Sequence, residues 1–372
     1  MKLARVSDIA GIINKKYPFA KAEEWDNVGL QLGDPASEVE RILVALDPLS
    51  AVLDEARQRA CQLLITHHPL IFKPLRQLTT ASPTGRLLLR AVNHNLAVLA
   101  MHTNYDIAAD GLNDLLAARL GLQDLRPLRV TGRSTLVKLV VFTPETHLEM
   151  LRRALADSLF AVGAYRDCSF AAPGEGTFTP LPGAQPAIGR IGRLERVAER
   201  RLEVLIHQDQ LTGAIAAIKA VHPYEEPAID CYPVLNEALP QGLGRIGRLP
   251  EPCPLAILSD MVRERLHAGL VRLVGDPGRQ IRTVALCSGS GASLLPDAVR
   301  AGADLLLTGD CSYHQAREAE ANGIALLDAG HFATEQLMVP GVQRFLQEAL
   351  AAAGYDVEVL AAEGERDPFQ LR

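Results

Sequence analysis

The sequence predicts an α/β protein. Its expected core is two-lobed and three-layered (α/β/α) with mostly parallel sheets, and it carries an inserted ferredoxin-like α+β domain. Three observations lead there. Short runs that are apolar throughout, such as Ile42-Leu43-Val44-Ala45-Leu46 and Leu63-Leu64-Ile65, alternate with amphipathic stretches in both flanks of the chain, the pattern of parallel strands buried on both faces and crossed by helices. Between the flanks the rhythm changes to βαββαβ, the order of a split βαβ unit. The flanks are about equal in length and rhythm, which suggests two similar lobes, although no residue-level repeat links them.

Taken in order, Ser7 is placed to cap a helix over 8–16, with Ile9, Ile12 and Ile13 at helical spacing. The polar, glycine-punctuated stretch 24–34 reads as a loop passing into a short strand. Strands follow at 41–46, 62–66 and 96–101, with helices at 49–59, 84–93 and 113–120, the last closed by Gly121. These make lobe 1, residues 1–127, which ends at the loose segment Arg126-Pro127. The insert is placed at 128–245, with strands at 136–142, 166–171, 201–206 and 228–234 and helices at 145–156 and 211–221; the Pro- and Gly-rich stretch 172–186 fits a hairpin tip. Lobe 2, residues 246–372, resumes the first rhythm. It has a helix within 254–268, strands at 271–274, 283–286, 304–308 and 324–328, helices at 293–301 and 312–320, a long helix over 331–352 bent near Pro340, and a closing strand at 355–360.

Composition narrows the class. In 372 residues, 48% hydrophobic and 22% charged side chains are those of an ordinary globular chain with room for a large core. The net charge of −6 gives no electrostatic reason to expect duplex nucleic acid. Six cysteines stand without a C-x-x-C pair, which argues against a disulfide framework or zinc ribbon and fits a reducing cytoplasm. The opening residues form no apolar signal core, and no apolar run reaches the roughly 20 residues a membrane span requires. A cytoplasmic protein that does not cross a membrane is expected.

The chemistry-bearing residues collect just past predicted strand ends, where ligands gather in open parallel sheets. His67 and His68 end the strand at 62–66, and Pro69 stops further pairing. Adjacent side chains at a strand end diverge, so these two imidazoles are suited to two neighbouring ions rather than one. Asp106 follows the strand at 96–101. His331 and Glu335 are four residues apart at the start of a helix and share one face. Three imidazoles and two carboxylates exceed one closed four-coordinate ion and suit two divalent ions about 3.5–4 Å apart. Taken singly, each signal has a plainer account: a turn for His-His-Pro, a surface pair for His331 and Glu335, and a cap for Asp106.

Weaker candidates surround these five. His102 is either a partner of the site or a loop histidine, and His314 could meet substrate or a proton in transit. Asp310 either orients a ligand imidazole or, more simply, caps the next helix. Ser288-Gly289-Ser290-Gly291 is an anion cradle or a tight turn, without the lysine of a P-loop. His222-Pro223-Tyr224-Glu225-Glu226-Pro227 is a second metal site or, more plainly, a stiff turn. The arginine-rich run 190–201 reads as a solvated hairpin or strand edge.

Several of these segments together resemble the GTP cyclohydrolase 1 type 2 homologue family, also called the NGG-interacting-factor-three-like family of dinuclear metal proteins. They are Glu24-Trp25-Asp26-Asn27-Val28-Gly29-Leu30, Ile65-Thr66-His67-His68-Pro69, His102-Thr103-Asn104-Tyr105-Asp106, Thr308-Gly309-Asp310 and Gly330-His331-Phe332-Ala333-Thr334-Glu335. The resemblance covers essentially the whole chain. The insert, with His222 to Ala228 and Gly242 to Gly247, is similar to that of the longer bacterial members, whose insert resembles PII-type and divalent-ion-tolerance folds. The resemblance implies a dinuclear site on His67, His68, Asp106, His331 and Glu335, and a ring-like homohexamer with its sites facing inward.

Two functions are expected from this reading. The first is a metal-dependent hydrolase of GTP cyclohydrolase type acting on a nucleotide-like or cyclic amide-type small molecule. In it two zinc, iron or manganese ions activate water, Glu335 or Asp106 bridges them, and His102 or His314 passes a proton to the leaving group. The second is a non-catalytic regulatory or metal-chaperone protein that holds or hands on ions.

Overall fold

The computed structural model describes residues 3–133, 135–156, 159, 165–236 and 240–370. The chain divides into two compact units, one of Met1–Thr131 with Gln241–Arg372 and the other of Gly132–Pro240. Among the described residues the first unit contains two larger sheets. One is five-stranded, in the order Glu358–Ala361, Arg41–Ala45, Leu63–Thr66, Ala97–Ala100, Gly29–Leu32; only the last pairing is antiparallel. The other is six-stranded, in the order Arg272–Val274, Ala325–Asp328, Leu305–Thr308, Gln280–Leu286, Pro240–Pro254, Gln123–Arg133. Its three middle strands are parallel, and Arg272–Val274 joins antiparallel to Ala325–Asp328.

The apolar runs are explained by what lies on each face. Side chains alternate across a strand, so Ile42, Val44, Leu63, Ile65 and Leu99 enter one core while Leu43, Ala45, Leu64 and Val98 enter another. The first core is closed by the helices Val6–Lys16 and Met338–Ala352, the second by Ser50–Gln58 and Pro83–Asn93. The second sheet repeats the arrangement, with Leu305, Leu307 and Leu327 facing the helix Leu255–Arg265, and Leu306, Leu326 and Ala285 facing Leu295–Arg300 and Ala319. Each fully buried Leu or Ile contributes roughly 1.5–3 kcal/mol relative to exposure, so a strand with both faces covered tolerates no polar residue until its end.

Several elements depart from expectation. The first helix begins at Val6, with Arg5 at its N-cap and Asp8 accepting the Arg5 N–H at 2.9 Å, so Ser7 is not the cap. The long C-terminal helix is two helices, His331–Glu335 and Met338–Ala352; the break precedes Pro340, which lies in the first turn of the second helix, where no N–H is needed. That second helix and the strand Glu358–Ala361, expected with lobe 2, belong to the first lobe. Met338, Val342, Leu346 and Leu350 bury against Ile42 and Val44, and Val359 pairs with Ile42. Gln123–Arg133 is a long strand where the loose segment Arg126-Pro127 was expected, and Pro240–Pro254 is a long strand where no strand was expected.

In the second unit the strands Leu136–Pro144, Ser169–Phe178, Glu195–His207 and Ile229–Pro233 form an antiparallel sheet. The helices Leu148–Leu155 and Leu211–Val221 supply Leu151, Leu155, Ala214 and Ile218 to the core on one of its faces. The expected hairpin tip instead continues as strand to Phe178, which is in register with Glu195. Pro173, Gly174 and Gly176 are tolerated there because the strand is at the sheet edge.

Candidate metal centre

Strand ends deliver the site residues. Leu63–Thr66 is wholly buried, and its ladder runs one step further, with His67 N–H donating to Ala45 O and His68 N–H to Leu46 O. Ala97–Ala100 is followed by His102 and by the short helix Thr103–Ile107 that carries Asp106; Ala325–Asp328 is followed by the helix carrying His331 and Glu335. The site therefore lies at the carboxyl ends of parallel strands from both sheets.

Four imidazoles are held in the same way. His67 Nδ1–H donates to Met101 O at 2.8 Å, His68 Nδ1–H to Asp47 Oδ1 at 2.8 Å, His331 Nδ1–H to Asp310 Oδ2 at 2.6 Å, and His102 Nδ1–H to Asp26 Oδ1 at 2.8 Å. Because the acceptors have no proton to give, each ring in its neutral form has its Nε2 lone pair free to act as a ligand, the tautomer that metal-bound histidines require. His68 Nε2 and His331 Nε2 lie 3.3 Å apart.

Glu335 joins two sets of donors. Its Oε1 is 3.7 Å from His67 Nε2, which is also 3.7 Å from Asp106 Oδ1, while its Oε2 is 3.1 Å from His68 Nε2 and 2.9 Å from His331 Nε2. Among the described residues, the ligand-capable atoms of His68, His331 and Glu335 lie within 4.8 Å of one another, as do those of His67, His68 and His102. His67 Nε2 and Glu335 Oε2 are buried and have no hydrogen-bond partner, although polar atoms stand close by. Leaving such groups unpaired costs about 1–3 kcal/mol each. A cation between them satisfies these donors, so the residues fit a metal ion.

The electrostatics of the cluster agree. Burial alone would lower the His68 pKa, but its hydrogen bond to Asp47, the closeness of Glu335 and the charges of both carboxylates raise it to about 10. The closeness of the Glu335 carboxylate outweighs burial at His331 and, with Asp310, raises it to about 9. Burial pushes the Glu335 carboxyl up, yet the charge of His67 and the close rings of His331, His67 and His68 hold it well below the usual range. Asp106 shifts the other way, raised by burial against the opposing charge of His67. The Asp26 carboxyl resists burial through hydrogen bonds from His102 and Thr103 and falls to about 2.

These shifts carry a sign. Imidazoles whose folded pKa lies above the ordinary value of about 6.5 stabilise the fold fully below that pH, and the contribution is lost as pH rises through 9 to 10. Chelator-treated protein is therefore expected to unfold at progressively lower urea between pH 7 and pH 10. The His331→Ala variant should show a shallower decline, and a parent midpoint that stays flat or rises would contradict the assignment.

Of the seven sequence candidates, the structure brings together His67, His68, Asp106, His331, Glu335 and His102. His314 is not brought to the cluster; it is exposed at the start of the helix Tyr313–Ala321, with its ring against Tyr313. Asp310 is not the helix cap. Ser312 fills that role through a capping box with Gln315, and Asp310, at φ +57°, orients His331 instead. The glycine-rich segment is a turn whose amides are already engaged: Ser288 N–H donates to Asn113, Gly289 N–H to Thr334 and Gly291 N–H to Thr308. His222 uses both ring nitrogens within its turn, donating to Phe142 O and accepting from Tyr224 N–H, which leaves none for a metal. Sequence reasoning missed Asp47 and the orienting role of Asp26. The available signal for Asp47 was its place just past the end of Arg41–Ala45, the same kind of position as the ligands.

The fold and this cluster define a mixed α/β protein whose histidine–carboxylate centre can hold a metal ion. The chain belongs to the Duf34/NIF3 (NGG1p interacting factor 3) family, whose profile matches residues 4–368. It is 39% identical over 370 residues to a GTP cyclohydrolase 1 type 2 homolog of Halalkalibacterium halodurans, covering 99% of each chain. It is 38% identical over 353 residues to one of Bacillus subtilis, covering 95% of this chain and 94% of that one. Among solved structures it is similar to a Bacillus cereus protein related to NIF3, with a TM-score of 0.90 and 38% identity over the whole of both chains. A Staphylococcus aureus protein matches over the same extent with a TM-score of 0.73 and 29% identity.

Proposed function

We propose that this protein is a metal-dependent hydrolase of a nucleotide-like or cyclic amide-type small molecule, with two divalent ions per subunit held by His67, His68, Asp106, His331 and Glu335. The observation that carries the two-ion reading is the division of Glu335, whose Oε1 faces His67 and whose Oε2 faces His68 and His331. The mixed imidazole and carboxylate donors suit zinc, iron or manganese. Such ions, when bound, acidify water and polarise the bond under attack. The chain's own contribution is to position and to move protons. Asp47 and Asp310 fix the His68 and His331 rings, Met101 O fixes His67, and Asp26 holds His102 with Nε2 free to give or take the proton of a leaving group. The name borne by the relatives supports a nucleotide ring as the substrate class.

On the resemblance of the sequence, the assembly proposed with this site is a homohexameric ring. The unit 132–240 is proposed as an inserted ferredoxin-like domain, supported by its strand order. A cytoplasmic location is supported by six cysteines that are all free thiols. Among the described residues, no helix is long and apolar enough to cross a membrane. The test is metal analysis of the purified protein followed by incubation with a panel of purine nucleotides and chromatography of the products. Stoichiometric metal with loss of one nucleotide is expected. Stoichiometric metal with every candidate intact would overturn the hydrolase and favour the regulatory or metal-chaperone reading.

A further inference from the structure

Next to the histidine cluster lies an aromatic corner that the metal chemistry does not use. Trp25 and Phe72 are among the exposed large hydrophobic residues, 58% and 46% exposed, although each side chain has a body that favours burial. Their ring centroids are 5.9 Å apart at 68°, and both stand against the ring of His102, Trp25 at 6.0 Å and 78° and Phe72 at 6.5 Å and 76°. These edge-to-face contacts leave about half of each aromatic side chain exposed to water. The corner is rigidly mounted. Asp26, next to Trp25, accepts from Thr103 N–H and Oγ1–H as well as from His102, and Glu23 N–H donates to Thr103 Oγ1. On the other side Asn27 Nδ2–H donates to Ile71 O, while Ile71 N–H donates to Gln31 Oε1 at 3.0 Å. The two backbone segments carrying the aromatics are thus tied to each other and to the helix bearing Asp106.

We infer that Trp25 and Phe72 form a stacking corner that seats a flat, unsaturated nitrogen heterocycle beside His102, and so determine which substrates reach the cluster. This inference rests on the hydrolase reading for its placement of substrate, but binding tests it independently of turnover. Exposed aromatic rings on a hydrogen-bonded frame take flat rings with less ordering cost, since the backbone segments that carry them are already tied together. The two cations that follow on the same loop, Lys73 and Arg76, make no ion pair among the described residues. An anionic group attached to the ring would therefore meet no repulsion from that loop.

Trp25 is the only tryptophan in the sequence, so its fluorescence reports on the corner directly. The full-length, metal-loaded protein is titrated with guanosine monophosphate and, separately, with ribose 5-phosphate, which has the phosphate but no base. Guanosine monophosphate is expected to quench the emission saturably, whereas ribose 5-phosphate should leave it unchanged. Phe72→Leu should weaken guanosine monophosphate binding on the order of tenfold, within the range of losing one base–aromatic stack. Trp25→Leu, followed by calorimetry, should do the same. Both variants replace exposed residues, and unchanged metal content shows that the site beneath them is intact. The inference is overturned if guanosine monophosphate gives no quenching, if ribose 5-phosphate quenches equally, or if both variants bind as tightly as the parent. Quenching by guanosine monophosphate with every nucleotide of the panel left intact would instead sink the hydrolase reading and leave binding at this corner standing.

Discussion

Replacing His68 by alanine is expected to strip most of the bound metal from the protein. His68 is the residue common to both groups of ligand-capable atoms, with Nε2 3.1 Å from Glu335 Oε2 and 3.3 Å from His331 Nε2. Disturbing only the partner that orients a ligand commonly costs about 10–100-fold in affinity, so deleting the ligand should cost at least about a hundredfold. The same change removes one of the rings that stabilise the buried Glu335 carboxylate, so the metal-free variant should also melt at lower temperature than the metal-free parent. Metal is counted by elemental analysis after gel filtration. His314→Ala is the matched control, because that side chain is exposed and belongs to neither group of ligand-capable atoms, and it should retain full metal. A His68→Ala protein that keeps full metal would end the assignment of this site.

Gly289→Ala should damage the centre without replacing any ligand. Gly289 has φ +57°, and a Cβ added there would overlap Glu335 Oε1 and stand 3.2 Å from His331 Nε2. The backbone term alone is about 1–2 kcal/mol for a residue with a side chain in that conformation. Glu335 cannot yield cheaply, because it is buried and its position is set by three imidazoles. The comparison is Gly302→Ala, at φ +73° with nothing within 4 Å of an added Cβ, which carries the backbone cost alone. Urea unfolding should show a larger loss for Gly289→Ala, of about 2–4 kcal/mol once displacement of Glu335 is added to the backbone cost, and only this variant should lose metal. Equal losses in stability with metal retained in both would show that the turn does not wall the site.

The parts of this molecule visible in the sequence are those governed by burial and by short-range spacing. The run Leu63–Thr66 is apolar because both of its faces are covered, and the point where that constraint ends is where His67 and His68 begin. His331 and Glu335 were legible because four residues on a helix fix a common face. The rest depends on long-range pairing that no local pattern encodes. Asp310 looked like a helix cap until the helix began two residues later with its own Ser312 cap, which freed Asp310 for His331. Asp47 is one ordinary acid after a strand until His68 is placed across from it. The second half of the strand Ser169–Phe178 was hidden by its own Pro and Gly, which are penalised inside a sheet but not at its edge. The return of Glu358–Ala361 to the first sheet is set by the apolar stripe of Met338–Ala352 finding Ile42 and Val44, a contact between sequence neighbourhoods about 300 residues apart.

The strands Gln123–Arg133 and Pro240–Pro254 are neighbours in one sheet, so the polypeptide departs from the first unit and re-enters it through adjacent doors. A gene could therefore gain or shed everything between those doors by joining the two strands with a tight hairpin, without rerouting the backbone around either histidine-bearing helix or strand. Chains with and without the extra module can in this way share one body and one histidine–carboxylate cluster.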